Sequence, residues 1–159
     1  MMRLGLIAAA IVLVLDQITK WLVLDFVMRP PRVIEVTSFF NFVMVWNQGV
    51  SFGMFAHEAE FVRWALIAVS LAITAFLFNW LRKADKPLVA LALGMVIGGA
   101  IGNVIDRLRF GAVADFLDFH VLGYHWPAFN VADAGISVGV VLLIYDSLFG
   151  RRDEAETAK

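Results

Sequence analysis

Residues 103–133 decide the fold, and they read NVIDRLRFGAVADFLDFHVLGYHWPAFNVAD. This stretch joins two very apolar segments, and it contains six polar residues of interest: Asn103, Asp106, Arg107, Asp115, Asn130 and Asp133. Ionised groups are costly beside a membrane interior, so a cluster of them between two apolar helices indicates a functional site. We predict Asp115 and Asp133 as a catalytic pair, because two close carboxylates that share one proton can activate a water molecule.

The composition around this stretch is that of an integral membrane protein. Of the 159 residues, 61% are hydrophobic and 17% are charged, whereas soluble domains are about 45–50% apolar. The sequence has no cysteine, which excludes disulfides and cysteine nucleophiles. The net charge is −1, and the charges crowd into short connections and termini, so we expect no nucleic-acid partner.

Four apolar runs are long enough to cross a membrane as helices. We predict these spans at residues 4–25, 61–81, 88–105 and 131–149, within a single integral membrane domain of residues 1–159. Residues 33–55 are rich in β-branched and aromatic side chains, and we predict a short sheet there at the membrane interface. The predicted fold class is an all-α membrane protein with four transmembrane helices and a small β-rich interfacial segment.

The distribution of basic residues predicts the orientation of these spans. Four spans place both termini on one side, together with seven basic residues: Arg3, Arg82, Lys83, Lys86, Arg151, Arg152 and Lys159. The other side has five: Arg29, Arg32, Arg63, Arg107 and Arg109. The positive-inside rule therefore favours cytoplasmic termini, and it places the β-rich segment and residues 103–133 on the outer side of the membrane.

Two further polar groups have helical spacing. Asp16 and Lys20 are four residues apart inside span one, where an acid followed by a base can form an ion pair. Asn103, Asp106 and Arg107 share one face at the end of span three, where Arg107 can pair with Asp106 or with the carboxylates of the following loop. Spacing alone also permits purely structural roles for both groups, and it permits Asp133 to be a helix-capping aspartate.

Five blocks of this sequence, in order and spacing, resemble the motif blocks of the lipoprotein signal peptidases, also called signal peptidase II. They are Asp16-Gln-Ile-Thr-Lys20, Asn47-Gln-Gly49-Val-Ser-Phe-Gly53, Gly102-Asn103-Val-Ile-Asp106-Arg107, Ala112-Val-Ala-Asp115-Phe116 and Phe129-Asn130-Val-Ala-Asp133-Ala134. The resemblance covers essentially the whole chain. A small departure is Ala114, where a larger β-branched residue is common in the family.

The resemblance implies an intramembrane aspartic endopeptidase of the bacterial inner membrane. Such an enzyme removes signal peptides from diacylglyceryl-modified prolipoproteins and cuts just before the lipidated cysteine. The resemblance implies Asp115 and Asp133 as the catalytic dyad, with no metal or other cofactor. It implies supporting or substrate-contacting roles for Asp16, Lys20, Asn47, Gly49, Asn103, Asp106, Arg107 and Asn130. The expected partners are the prolipoprotein and membrane lipid, and the expected state is a monomer.

Two other catalytic chemistries have some support in the sequence. Gly49-Val-Ser51-Phe-Gly53 matches the G-x-S-x-G pattern of serine hydrolases, although that pattern is weak without a strand-turn-helix context. A metal site is the second alternative, because aspartate and histidine suit zinc and similar cations. Its ligands would come from Asp115, Asp118, His120, His125 and Asp133.

An ion-coupled transporter is the non-enzymatic alternative, because intramembrane acids can relay protons. The sequence has no evident internal repeat or pair of broken helices, which many transporters have. The acids also gather at one face of the membrane. Both observations favour the peptidase.

Overall fold

The computed structural model describes residues 1–49 and 56–157. Its helices are α1 (Met2–Leu22), which continues as a π-helical segment (Val23–Val27), α2 (Ala56–Leu81), α3 (Pro87–Phe110) and α4 (Val131–Thr157). Its strands are β1 (Ile34–Thr37), β2 (Phe40–Asn47), β3 (Val113–Val121) and β4 (Tyr124–His125). Within these residues, four helical segments are long and apolar enough to cross a membrane: Met2–Val27, Glu60–Leu81, Pro87–Phe110 and Val131–Phe149. The predicted fold class is confirmed.

Helix α3 is the centre of the helical bundle. It contacts the other three helices, and its Ala90 and Leu93 side chains are fully buried. Its glycines let α1 approach closely, because a Cβ at Gly94 or Gly98 would overlap backbone oxygens of α1. This helix–helix contact therefore rests on small residues, as is common in membrane proteins.

The outer faces of the bundle are apolar. On α2, Phe61 is 74% exposed and Phe76 is 66% exposed. Large apolar side chains would be unfavourable on this scale in water, whereas lipid tails solvate them well. The bundle therefore has the surface of a membrane-embedded protein.

Helix α3 extends further than the sequence predicts. It continues past residue 105 to Phe110 because no helix-breaking residue occurs before Gly111. Gly111 has a φ of 78° and its N–H donates to the carbonyl oxygen of Arg107, which is a common way for a helix to end. Asp106 and Arg107 therefore lie on a rigid helix and not in a loop.

The four strands form one antiparallel sheet in the order β1-β2-β3-β4. In the chain, β1 and β2 lie between α1 and α2, and β3 and β4 lie between α3 and α4. Strands β1 and β2 fall inside the segment predicted to be β-rich, whose residues 50–55 lie outside the described part of the chain. Strand β3 occupies a region where the sequence predicts only a loop. Its register on β2 places Val45 opposite Asp115. The sheet thus fixes the position of Asp115 near the start of α4.

Candidate active site

Asp115 lies on β3 and is 1% exposed. Its carboxylate accepts two hydrogen bonds from side-chain amides: Asn130 Nδ2 donates to Oδ1 over 2.7 Å, and Asn47 Nδ2 donates to Oδ2 over 3.0 Å. The Gly49 N–H donates to Asn47 Oδ1 over 2.9 Å. Because its oxygen is engaged there, the Asn47 amide presents its NH₂ group to Asp115.

Asp133 lies in the first turn of α4 and forms a reciprocal capping box with Asn130. The Asp133 N–H donates to Asn130 Oδ1 over 2.9 Å, and the Asn130 N–H donates to Asp133 Oδ2 over 3.2 Å. The carbonyl oxygen of Asn130 accepts the N–H of Ala134, so Asn130 is the N-cap residue. Asp133 is therefore not the N-cap residue, but its carboxylate does take part in capping α4, as the sequence permitted. The other oxygen, Asp133 Oδ1, accepts from Asn103 Nδ2 over 2.8 Å.

Two asparagine side chains connect the two carboxylates. Asn130 Nδ2 lies 3.4 Å from Asn103 Oδ1 and also donates to Asp115. Asn103 in turn donates to Asp133. A chain of hydrogen bonds therefore runs from Asp115 through Asn130 and Asn103 to Asp133. It fixes the side chains of two aspartates that are 18 residues apart in the sequence.

The environment of Asp115 raises its pKa to about 6. The largest cause is burial, which penalises the charged carboxylate, and the second is the negative charge of Asp133. Hydrogen bonds from Asn47 and Asn130 and the positive charge of Lys20 act in the opposite direction. Asp115 therefore holds a proton in mildly acidic solution and releases it near neutral pH, as expected of a pair of carboxylates that shares one proton.

A second group of charged side chains is buried directly behind the pair. Lys20 is 3% exposed, Asp16 is 0% exposed and Asp106 is 1% exposed. The predicted ion pair of Asp16 with Lys20 is present at 2.8 Å. Asp106 Oδ2 lies 2.8 Å from the Lys20 ammonium group. Asp106, one of the two partners considered for Arg107, therefore forms an ion pair with Lys20, which the sequence did not predict.

Arg107 lies on the same side of α3 as Asn103. Its Nη1 donates to the carbonyl oxygen of Asn103 over 3.4 Å. Its guanidinium group interacts electrostatically with both Asp133 and Asp115. Arg107 therefore adds positive charge beside the pair of carboxylates.

Gln17 belongs to this site although the sequence did not identify it. Its Nε2 lies 3.1 Å from Asp16 Oδ2, 3.3 Å from Asp106 Oδ1 and 3.4 Å from the carbonyl oxygen of Gly102. Gln17 is three residues before Lys20 and hence on the same face of α1. This spacing is the one feature of the sequence that could have identified Gln17 as a neighbour of the site.

The residues of the metal alternative are not gathered into one group. His125 Nδ1 lies 2.9 Å from both oxygens of Asp118, and its ring stacks on His120. In the part of the chain that the structure describes, no three His, Asp or Glu side chains are arranged to hold a metal ion. For the serine alternative, Ser51 lies outside the described residues.

Comparison with known proteins finds a family model and several relatives that match this chain over most of its length. Residues 8–149 match the family model described as signal peptidase (SPase) II. The lipoprotein signal peptidase of Methylobacterium radiotolerans is 46% identical over 162 residues, which cover 99% of this chain and 94% of that protein. The lipoprotein signal peptidase of Methylorubrum extorquens is 50% identical over 149 residues, which cover 92% of this chain and 86% of that protein.

Solved structures show the same similarity. A bacterial membrane enzyme determined by the in meso method at 1.9 Å matches with a TM-score of 0.79 at 28% identity, covering 91% of this chain and 92% of that one. A structure determined in the same way at 2.3 Å matches with a TM-score of 0.76, also at 28% identity, covering 91% of this chain and 87% of that one.

Proposed function

This chain belongs to the signal peptidase II family, and from that premise we propose that Asp115 and Asp133 are its catalytic dyad. The chain is a multi-span membrane peptidase that removes signal peptides from lipoprotein precursors. The observation that carries the proposal is the chain of hydrogen bonds through Asn130 and Asn103, which holds the two buried carboxylates in one site.

The proposed chemistry needs one protonated and one ionised carboxyl group. Asp115 carries the proton, because burial and the charge of Asp133 raise its pKa to about 6. Ionised Asp133 removes a proton from a water molecule as the water oxygen attacks the scissile carbonyl carbon, and Asp115 donates its proton to the carbonyl oxygen. The tetrahedral intermediate then collapses and the C–N bond breaks. The leaving amine takes the proton from Asp133, and a hydroxyl group of the intermediate returns a proton to Asp115 as the carboxyl product forms.

The substrate that fits this site arrives from the bilayer. Asp133 lies in the first turn of a span, and Asp115 follows the end of another by only a few residues. A substrate anchored by a diacylglyceryl-modified cysteine holds its scissile bond at a similar depth, at the border of lipid and water. The enzyme is proposed to cut just before that cysteine, as a monomer surrounded by membrane lipid.

The orientation follows from the distribution of basic residues given above. Cytoplasmic termini in the bacterial inner membrane place the sheet and the dyad towards the periplasm. Residues 33–49, which contain β1 and β2, then lie at the periplasmic surface, where Asn47 reaches Asp115. Gly49 supports this arrangement through the bond from its N–H to Asn47 Oδ1.

A defined substrate tests this function. Purified protein in lipid nanodiscs is incubated with a prolipoprotein that carries diacylglycerol on its cysteine and, separately, with the unmodified precursor. We expect cleavage of the modified precursor, with a product whose mass begins at the lipidated cysteine. Cleavage at another bond, or equal cleavage of both precursors, would contradict the proposed specificity.

The pH dependence of cleavage tests the shared proton. Because Asp115 must hold its proton, kcat/KM is expected to fall as the pH rises through about 6, with an apparent pKa that belongs to the coupled pair. The amide of Asn47 stabilises the ionised form of Asp115, so Asn47→Ala is expected to raise this pKa and to shift the fall in kcat/KM to higher pH. If the fall occurs at the same pH in the variant, it reports the titration of another group.

A further inference from the structure

We propose that Lys20 is a positioning residue whose ammonium group anchors two buried carboxylates, each of which holds the backbone N–H directly before a catalytic aspartate. This inference rests on the proposed function, because it takes Asp115 and Asp133 as the dyad. In this inference, Lys20, Asp16 and Asp106 do not act by contacting the substrate, and they do more than hold the helices together.

The backbone contacts are equivalent at the two aspartates. The N–H of Ala132, which precedes Asp133, donates to Asp16 Oδ1 over 3.0 Å. The N–H of Ala114, which precedes Asp115, donates to Asp106 Oδ2 over 3.2 Å. Each catalytic aspartate therefore follows a peptide group that is held by a buried carboxylate from another element.

Lys20 connects these two contacts. Its Nζ lies 2.8 Å from Asp16 Oδ2, 2.8 Å from Asp106 Oδ2 and 3.2 Å from Asn103 Oδ1. The contacts with Asp16 and Asn103 are hydrogen bonds, and the contact with Asp106 is an ion pair. Asn103 itself donates to Asp133. All three contacts of Lys20 thus lead to the dyad within one or two further hydrogen bonds.

Helix packing alone does not explain this cluster. The contact between α1 and α3 already rests on glycines at positions 94 and 98. Removing three charges from water is costly, and a buried ion pair is often no more stabilising than apolar residues of similar size. The fold even makes room for the cluster, because a Cβ at Gly102 would contact Asp16 Oδ2. Because burying these charges is costly and is not needed for helix packing, the cluster indicates a functional requirement.

That requirement is the geometry of the dyad. Ala114 lies on β3 and Ala132 lies on α4, so no local hydrogen bond connects their peptide groups. The ion cluster ties both peptide groups to α1 and α3, and it thereby fixes the distance between the two aspartates that follow them. A displacement of about 1 Å at a catalytic group can cost roughly 10²-fold in rate.

Replacing Lys20 tests the inference. In Lys20→Met the length of the side chain is retained and the charge is removed. We expect kcat to fall by about 10²-fold, with KM within about twofold of wild type because the buried Lys20 side chain leaves almost no surface for a substrate contact. Lys83→Met, at an exposed position in the turn before α3, is the matched control and retains wild-type kinetics. Unchanged kcat, or a loss that appears in KM, overturns the proposal.

A second variant separates positioning from other effects of the charge. In Lys20→Met/Asp16→Asn/Asp106→Asn the amide oxygens can still accept the two backbone N–H groups, and no uncompensated charge is buried. We expect this triple variant to fold, with a kcat at least about tenfold higher than that of Lys20→Met. If Lys20→Met does not fold, the kcat of the triple variant is expected to lie within about tenfold of the wild-type value. A folded triple variant as inactive as Asp115→Asn overturns the proposal.

Amide hydrogen exchange provides a readout that needs no substrate. Segments containing Ala114 and Ala132 are expected to exchange faster in Lys20→Met than in wild type, while segments of α2 are unchanged. Equal exchange in wild type and Lys20→Met overturns the positioning role. Absence of prolipoprotein cleavage by wild type, together with faster exchange in the variant, counts instead against the proposed function.

Discussion

Asp115→Asn and Asp133→Asn are each expected to reduce cleavage of a lipid-modified prolipoprotein by about 10³-fold or more, with the fold retained. Asparagine has nearly the same shape as aspartate, but it cannot take a proton from water or donate one to a carbonyl oxygen. The capping box survives in Asp133→Asn, because the amide oxygen can still accept the Asn130 N–H. The measurements are single-turnover cleavage rates and thermal unfolding of the purified variants.

Two controls accompany these variants. Asp85→Asn, at an exposed position between α2 and α3, is expected to cleave like wild type. Ser51→Ala is expected to retain most of the activity, because the proposed chemistry uses no serine nucleophile. Wild-type rates in either dyad variant would contradict the central proposal, and an inactive but folded Ser51→Ala would move the assignment to the serine mechanism.

Composition was sufficient to predict the membrane architecture. Apolar runs of about 20 residues have few alternatives to spanning helices, so the four spans follow from hydropathy. Their exact ends do not, because a span can continue beyond the lipid. Helix α3 continues for more than a turn past its predicted end at residue 105, and Asp106 and Arg107 lie in this extension. The helix ends where Gly111 adopts a left-handed conformation.

Strand β3 could not be read from the sequence for a different reason. Residues 113–116 are buried on both faces, so they lack the alternation of apolar and polar residues that indicates a strand. Asp115 stands among apolar residues there and is held by amides from β2 and from the start of α4. Those partners are distant in the chain, and local patterns carry no information about them.

The buried ion cluster shows the same limit within the site. Spacing predicted the pair of Asp16 and Lys20 because both lie on one helix turn. Spacing left Arg107 as a possible partner of Asp106 or of the loop carboxylates, whereas the fold brings Lys20 from another helix to within 2.8 Å of Asp106. The resemblance to a family named these residues together, but only the coordinates indicate that Asp16 and Asp106 bind backbone groups beside the dyad.

Asn130 performs two tasks that substitution can separate, and both are expected to have large effects. Its Oδ1 caps α4 through the Asp133 N–H, and its Nδ2 donates to Asp115. Asn130→Ala removes both contacts. Losing the bond to Asp115 breaks the chain of hydrogen bonds that orients the two carboxyl groups. Because a displacement of about 1 Å at a catalytic group can cost roughly 10²-fold in rate, kcat is expected to fall by about 10²-fold. Losing the cap costs about 1 kcal/mol in stability.

Asn130→Ser distinguishes the two tasks. Serine is as good an N-cap as asparagine, but its hydroxyl group is too short to replace the amide between Asp115 and Asn103. We expect Asn130→Ser to be as inactive as Asn130→Ala, yet to unfold roughly 3 °C higher, the shift that about 1 kcal/mol produces in a domain of this size. Asn79→Ala, at an exposed position near the end of α2, is the control for both measurements. If Asn130→Ser regained activity along with stability, the cap alone would account for Asn130, and the hydrogen-bonded chain between the aspartates would lose its catalytic meaning.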